Sequence, residues 1–242
     1  MEPELRPAFY AFRSGGWQDY LTLLHPPYTA WHLSYVVIGA SLSPVVHWDR
    51  LAGLLLAFFL AVGLAAHALD EYRGRPLQTR IPERWLLLIA AGSLTGALAI
   101  GAVAAATISL WAVPFVAAGC FIVPAYNLEW FGGRFHSDTW FGLAWGAFPA
   151  LVAYWANAQR LDLQAFLVAG ACFALTLTQR VLSKRVRSLR RYSRSVTGQV
   201  EFQDGRVEAI TASYLLATPE AGLKLTNLAI VLLALGLLAS RL

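Results

Sequence analysis

Charged residues are scarce in this chain: they make up 14% of its 242 residues, whereas hydrophobic residues make up 57%. A soluble domain carries about a quarter charged residues, so this composition excludes an ordinary soluble fold. Cysteine is also scarce, and Cys120 and Cys172 both lie in apolar runs, which indicates buried thiols and no disulfide framework. The sequence therefore predicts an integral membrane protein.

Histidine and extended polar segments are scarce as well. Five histidines are too few for a histidine-rich membrane oxygenase. The polar segments between the apolar runs are too short to build a nucleic-acid-binding fold, so we expect no nucleic acid partner. Tryptophan and tyrosine are abundant, with nine of each, and these residues are typical of the two interfacial belts of a membrane protein.

Long apolar runs supply the roughly 20 residues that a transmembrane helix needs. We predict an all-α polytopic membrane helix bundle of about seven transmembrane helices, over 29–44, 47–69, two helices within 85–125, 138–157, 162–182 and 222–240. The predicted organisation is a single membrane domain over 1–242, with an interfacial N-terminal segment (1–28), a six-span core (29–182), a basic cytoplasmic loop (183–221) and a last span (222–242).

Basic residues are nearly missing from one side of this topology. Only Arg50, Arg160 and Arg241 fall there, and the other 16 of the 19 lysines and arginines fall in the N-terminal segment or after spans two, four and six. The positive-inside rule places the 16 in the cytoplasm, together with the N-terminus, and the C-terminus outside. We therefore expect an integral protein of a bacterial-type plasma membrane.

A first polar cluster ends the second predicted span, in "AAHALDEYRGRPLQTRIPE" (65–83). His67, Asp70 and Glu71 share one helix face, and a carboxylate there is costly unless it is paired, solvated in a cavity or bound to a metal. Gly74 and Pro76 end the helix. Three arginines follow: Arg73, Arg75 and Arg80. They either pair with the two carboxylates, bind around a phosphate group or lie on anionic lipid headgroups.

A second cluster lies in "YNLEWFGGRFHSDTW" (126–140), at the cytoplasmic ends of spans four and five. The double glycine predicts a turn, and the aromatic residues indicate the membrane interface. Either an interfacial loop with solvated charges or a polar site would explain the cluster. Its polar members are Tyr126, Asn127, Glu129, Arg134, His136 and Asp138.

A third cluster, "TQRVLSKRVRSLRRYSRS" (178–195), is strongly basic. Its spacing places four basic residues on one helix face: Arg180, Lys184, Arg187 and Arg191. This face is either an anchor on anionic lipid or a wall that binds diphosphate or an acidic headgroup. Further along the chain, "QDGR" predicts a small hairpin or an irregular loop.

The order of these parts resembles the UbiA-type intramembrane prenyltransferase superfamily over roughly residues 17–190. The opening "WQDYLTLLHPPYTAWHLSYVVIGASL" is similar to its interfacial helix and first span, the acidic cluster follows span two, and Tyr126 leads through a glycine-bearing loop to "WFGLAWG". The resemblance implies transfer of a prenyl group from a prenyl diphosphate, with Mg²⁺ ions held by two aspartate-rich motifs.

The chain departs from that pattern in both motifs. In the frame of the first motif only Asp70 matches, with Glu71 as an added carboxylate. In place of the second acidic motif stand Gln179, Arg180, Lys184 and Arg185, and the usual last two spans are missing. These departures favour a changed substrate, arginines in place of one metal set, or a loss of the chemistry.

From the resemblance we expect a diverged UbiA-like membrane transferase that acts on an isoprenoid or lipid (di)phosphate with the assistance of Mg²⁺. The expected catalytic residues are Asp70, Glu71 and Tyr126, and the expected metal ligands are His67, Asp70 and Glu71. The expected substrate-binding residues are Arg73, Arg80, Asn127, Arg134, Arg180 and Lys184.

Two alternatives remain open at this stage. The first is a non-catalytic homologue that binds a lipid, quinone or pigment, or that scaffolds a membrane complex with another membrane protein or a second copy of itself. The second is a carboxylate–histidine metal site inside the helical bundle. Its ligands would come from His67, Asp70, Glu71, Glu129, His136 and Asp138.

Overall fold

The structure, a computed structural model, describes residues 6–242, and these are mostly helical. Residues 1–5 of the predicted N-terminal segment lie outside the described residues. The helices are α1 (Gln18–Leu23), α2 (Pro26–Ser41), α3 (Trp48–Gly74), α4 (Glu83–Thr107), α5 (Ala112–Asn127), α6 (Trp130–Gly133), α7 (138–158), α8 (Leu163–Tyr192) and α9 (Ala212–Ala239).

Within residues 6–242 four helices are long and apolar enough to cross a membrane: α3, α4, α8 and α9, with 25 to 30 residues each and a mean hydropathy of 1.6 to 2.2 over an 18-residue stretch. The chain is therefore a helical membrane protein, as its composition predicts. Each of the seven predicted spans overlaps a helix. The two shorter helices α2 and α5 have 16 residues each, or about 24 Å of rise, which is less than the roughly 30 Å of a bilayer core.

The predicted break in the long apolar run over 85–125 is confirmed, because α4 ends at Thr107 and α5 begins at Ala112. The basic segment differs from the prediction of a loop from 183 onward, since α8 continues as helix to Tyr192. The last helix also begins earlier than predicted, at Ala212, where the Thr211 hydroxyl accepts a hydrogen bond from the Tyr214 N–H. This cap satisfies one of the first amides of α9.

Glycines allow the closest approaches between helices. A Cβ at Gly39 of α2 would overlap the backbone of Ala150 in α7. Gly101 similarly lies against the Val116 side chain, and Gly146 lies against Thr176 of α8. Small residues thus let these helices pack backbone to side chain, as the glycine content of the apolar runs predicts.

Three π-helical segments interrupt the α-helices. They are Phe59–Ala66 within α3, Gly142–Ala147 within α7 and Ser188–Tyr192 at the end of α8. A π turn is wider than an α turn and is often found at functional sites. Each of these segments supplies or directly precedes residues of the polar cavity described below.

Between α8 and α9 the chain forms a small antiparallel hairpin of β1 (Gln199–Glu201) and β2 (Val207–Ala209). Gly205, in the turn, has a left-handed φ of 81°, which a glycine adopts without strain. Of the two structures expected at "QDGR", a hairpin or an irregular loop, the chain therefore forms the hairpin.

Candidate functional site

A polar cavity of about 510 Å³ lies at one end of the bundle, where α3, α5 and α8 end and α2 begins. It brings all three polar clusters of the sequence together. Seven of the predicted site residues line it: His67, Asp70, Arg73, Tyr126, Asn127, Arg180 and Lys184. Glu129 and His136 line it as well.

Glu71 is not part of the cavity wall. It is fully buried, and its carboxylate accepts hydrogen bonds from the Leu77 N–H (2.9 Å) and from both the N–H and the hydroxyl of Thr79 (2.8 Å each). Glu71 therefore holds the loop after α3 in place, and its oxygens are already engaged. The geometry gives no support to its predicted catalytic and metal-binding roles.

Arg80 and Arg134 also lie away from the cavity. Both are exposed, and the backbone N–H of Arg80 donates to Asp19 at 2.7 Å. Arg75 donates to the carbonyl oxygens of Thr79 and Ile81 and so belongs to the loop that Glu71 holds. Arg80 and Arg134 therefore do not lie at the cavity, where the predicted contacts with a substrate would require them.

Three of the cations that line the cavity form ion pairs with two carboxylates of the protein. Arg180 and Lys184 both pair with Asp138, at 2.9 Å and 2.5 Å, and Arg73 pairs with Glu129 at 2.9 Å. Asp138 and Glu129, which the metal-site alternative requires as ligands, are thus engaged in ion pairs. These three cations have less charge to offer a ligand than the sequence predicts.

Two other arginines of α8 line the cavity and have no carboxylate partner within residues 6–242. Arg187 donates no hydrogen bond to any residue in the described part of the chain, and Arg191 uses its Nε to bind the Pro7 carbonyl at 3.2 Å. Both lie on the basic stripe that the spacing predicts, but neither was among the predicted site residues. A guanidinium in a partly desolvated cavity is costly without an anion, so these two residues are the strongest anion-binding groups of the site.

Asp70 is the corresponding carboxylate without a partner. It lines the cavity, and within residues 6–242 it accepts no hydrogen bond and forms no ion pair. The neighbouring Glu71 points away, because successive residues of a helix are rotated by about 100°. Asp70 is thus the one member of the predicted acidic pair that can contact a ligand.

Neutral rings form the wall on the side of α2 and α3. His25 and His67 stack with their ring centroids 4.0 Å apart, and the Tyr10 hydroxyl is hydrogen-bonded to His25 Nδ1 at 2.7 Å. Burial, and then the nearby His67, lower the pKa of His25 well below its usual value of 6.5. Burial is also the main cause that raises the pKa of Tyr10, and Tyr28 and Asp70 add to it. Both groups are therefore uncharged at neutral pH.

The opposite wall is aromatic too. Tyr126 stacks on His136 at 4.5 Å and lies 4.6 Å from Trp145, which itself stacks on Phe141 at 5.4 Å. The buried Tyr126 hydroxyl and the Oε1 atom of Gln179 lack a hydrogen-bond partner in the described chain. This aromatic wall therefore holds two polar atoms that a ligand could contact.

The N-terminal segment forms part of the wall of the cavity. Residues 7–10 line it, and the end of α8 holds this segment because Arg190 donates to the Arg6 carbonyl and Arg191 to the Pro7 carbonyl. Lys224 of α9 lies over the Phe9 ring at 5.2 Å. Arg191 therefore contacts the N-terminal segment and also lines the cavity.

A magnesium site built by the protein alone does not fit this arrangement. The part of the chain that the structure describes contains no group of three or more His, Cys, Asp or Glu residues placed to hold a metal ion. Of the predicted ligands, Glu71 is engaged with the loop, and the His67 Nδ1–H donates to the Gly63 carbonyl at 3.1 Å. An Mg²⁺ ion at Asp70 would have to take its other ligands from water and from a bound phosphate.

A second, apolar cavity of about 250 Å³ lies toward the other end of the bundle, between α3, α4, α5 and α7. Its walls are mostly small and aromatic residues, including Gly53, Ala57, Ala97, Phe115 and Phe148. Only Asp49 and Arg50 bring charge to its rim.

Comparison with known proteins identifies no relative: no family model matches the chain, and neither curated proteins nor solved structures give a match. The function is therefore argued from the geometry of the polar cavity.

Proposed function

We propose that this membrane protein binds an isoprenoid or lipid (di)phosphate, with the phosphate held by Arg187 and Arg191. The observation that carries the proposal is the presence of these two guanidinium groups, which pair with no carboxylate of the described residues, in a cavity whose other arginines and lysine are in ion pairs. Arginine binds phosphate oxygens through charge-assisted, forked hydrogen bonds, so it is well suited to this role.

The membrane topology is part of the proposal. We infer seven spans, with the polar cavity and the N-terminus in the cytoplasm, because 16 of the 19 basic residues then lie on the inner side. Labelling of a cysteine introduced at Gly74, the exposed end of α3, tests the orientation. Labelling by a membrane-impermeant reagent from outside intact cells would contradict it.

We further propose that the protein transfers the group attached to the phosphate, as the resemblance to the UbiA-type superfamily implies. In such a transfer the bond between carbon and phosphate oxygen breaks, the phosphate leaves with the bonding electrons, and the carbon forms a new bond to an acceptor molecule, such as an aromatic ring, which gives up a proton. Arg187 and Arg191 would stabilise the charge that develops on the leaving phosphate. The rings of Tyr126, Phe141 and Trp145 would exclude water from the carbon left behind.

A second candidate is a non-catalytic protein that binds such a lipid or scaffolds a membrane complex. It is favoured by a specific observation: Glu71, one of the three predicted catalytic residues, is engaged in holding a loop. Release of inorganic pyrophosphate from geranylgeranyl diphosphate in the presence of membrane lipids distinguishes the two. Release that exceeds a protein-free control supports transfer, and tight binding without release supports the second candidate.

Binding is tested with geranyl diphosphate, with the purified protein in detergent, by calorimetric titration. Arg187→Gln should weaken binding by about ten- to a hundredfold, because one charge-assisted contact of roughly 1.5–3 kcal/mol is lost. Arg185→Gln is the matched control, since Arg185 is exposed on the same helix and does not line the cavity. Equal affinities of the two variants would contradict the proposal.

A further inference from the structure

Charges of opposite sign line the polar cavity without meeting. Asp70 lies on α3, and Arg187 and Arg191 lie on α8. No ion pair joins Asp70 to either arginine, although the described residues form ion pairs at six other carboxylates. The cavity therefore presents two separate charged positions, one for an anion and one for a cation.

An anionic ligand alone would leave Asp70 without compensation. A carboxylate that is partly desolvated beside a bound phosphate is repelled by it, and this repulsion offsets the attraction of the arginines that the phosphate occupies. The ligand that best matches the cavity thus brings a positive charge of its own to Asp70.

The surroundings of Asp70 favour an organic cation over a metal ion. Among the described residues no second carboxylate is free to contact a ligand in the cavity, because Glu129 and the nearby Asp138 are both in ion pairs. The groups that line the cavity on this side are the neutral rings of Tyr10, His25, Tyr28 and His67. Aromatic faces attract ammonium groups, whereas Mg²⁺ prefers several oxygen ligands.

We propose that the ligand is zwitterionic, with its phosphate on Arg187 and Arg191 and an ammonium group on Asp70, which is the chemistry of an ethanolamine-type phospholipid headgroup. This inference rests on the proposed function, since it presumes that the cavity binds a lipid phosphate. It narrows the ligand class by adding a cation next to the phosphate.

The test uses two lipids with the same chains, dihexanoyl phosphatidylethanolamine and dihexanoyl phosphatidic acid, titrated into the purified protein in detergent without divalent ions. The protein should bind the ethanolamine lipid more tightly. Asp70→Asn should weaken binding of that lipid by about tenfold and leave binding of phosphatidic acid unchanged or stronger, because a repulsive charge is removed. Asp49→Asn is the control, since Asp49 is exposed and does not line the polar cavity.

The remaining outcomes separate the inference from the proposed function. Equal affinity for the two lipids, or an Asp70→Asn protein with an unchanged preference, overturns the inference alone. If instead geranyl diphosphate binds only with Mg²⁺ and Asp70→Asn abolishes that requirement, Asp70 binds a metal ion, and the inference fails while the phosphate site stands. Binding of all three ligands that is insensitive to Arg187→Gln overturns both.

Discussion

Replacing Glu71 with Gln should lower the stability of the protein by about 2–4 kcal/mol, whereas replacing the adjacent Asp70 with Asn should change it by less than about 0.5 kcal/mol. The two substitutions are closely matched, because each removes one negative charge and changes the side-chain volume little. They differ in what the carboxylate contacts. Glu71 accepts three hydrogen bonds from the loop after α3, and Asp70 accepts none from the described residues.

The magnitude for Glu71→Gln follows from those three bonds. A glutamine can keep its carbonyl oxygen toward Thr79, but its NH₂ group then faces the Leu77 N–H, so one buried donor loses its acceptor at a cost of about 1–3 kcal/mol. The two remaining bonds change from a charged to a neutral acceptor, which costs about 1 kcal/mol more. Asp70→Asn breaks no hydrogen bond and removes an unpaired charge.

Thermal unfolding in detergent measures the difference. At about 2–4 °C per kcal/mol for a chain of this size, Glu71→Gln should lower Tm by roughly 4–16 °C, and Asp70→Asn should leave it within about 2 °C. Ligand affinity should respond in the opposite order, with a larger change for Asp70→Asn than for Glu71→Gln. A Glu71→Gln protein with an unchanged Tm, or a larger loss for Asp70→Asn, would show that Glu71 does not hold the loop.

Three further results are expected. Gly39→Ala should destabilise the bundle by about 3 kcal/mol or more, because the new methyl group overlaps backbone of α7, whereas Gly92→Ala, with open space around it, should be neutral in the same unfolding assay. Stability should fall as the pH drops below 6.5, because the pKa of His25 is lowered in the folded chain, so that the unfolded chain binds a proton there and the folded chain does not. A His25→Asn protein should lose less stability over the same range of pH. Arg73→Ala should cost less than about 1 kcal/mol by the same assay, since its pair with Glu129 is half exposed.

The helices could largely be predicted from the sequence, because long apolar runs indicate segments that cross the membrane and their interruptions indicate where those segments end. The break after Thr107 and the end of α3 at Gly74 both appear as short-range signals. The convergence of three distant polar clusters could be predicted from the basic residues, since the positive-inside rule places all three at one face. These features depend on local composition alone.

The roles within the cavity could not be predicted, because they depend on contacts between distant segments. Asp70 and Glu71 differ only because the 75–81 loop folds back on one of them. Arg180 lies on the same basic stripe as Arg187, but Asp138 from α7 forms an ion pair with Arg180 and not with Arg187. Neither the fold of the loop nor the position of Asp138 can be predicted from the spacing of the basic residues along α8.

The basic stripe of α8 argues against a purely structural anchor. Arginines that only bind the lipid surface lie on the outside of a helix, and Arg185 and Arg194 are exposed in that way. Arg187 and Arg191 are partly buried and line the cavity, where anchoring to the bilayer surface gives them nothing. Their desolvation has to be offset by something that enters the cavity. Among the described carboxylates near them, Glu129 and Asp138 are paired elsewhere, and Asp70 forms no ion pair with either arginine, so an anion from outside the chain would supply the missing charge, as we propose.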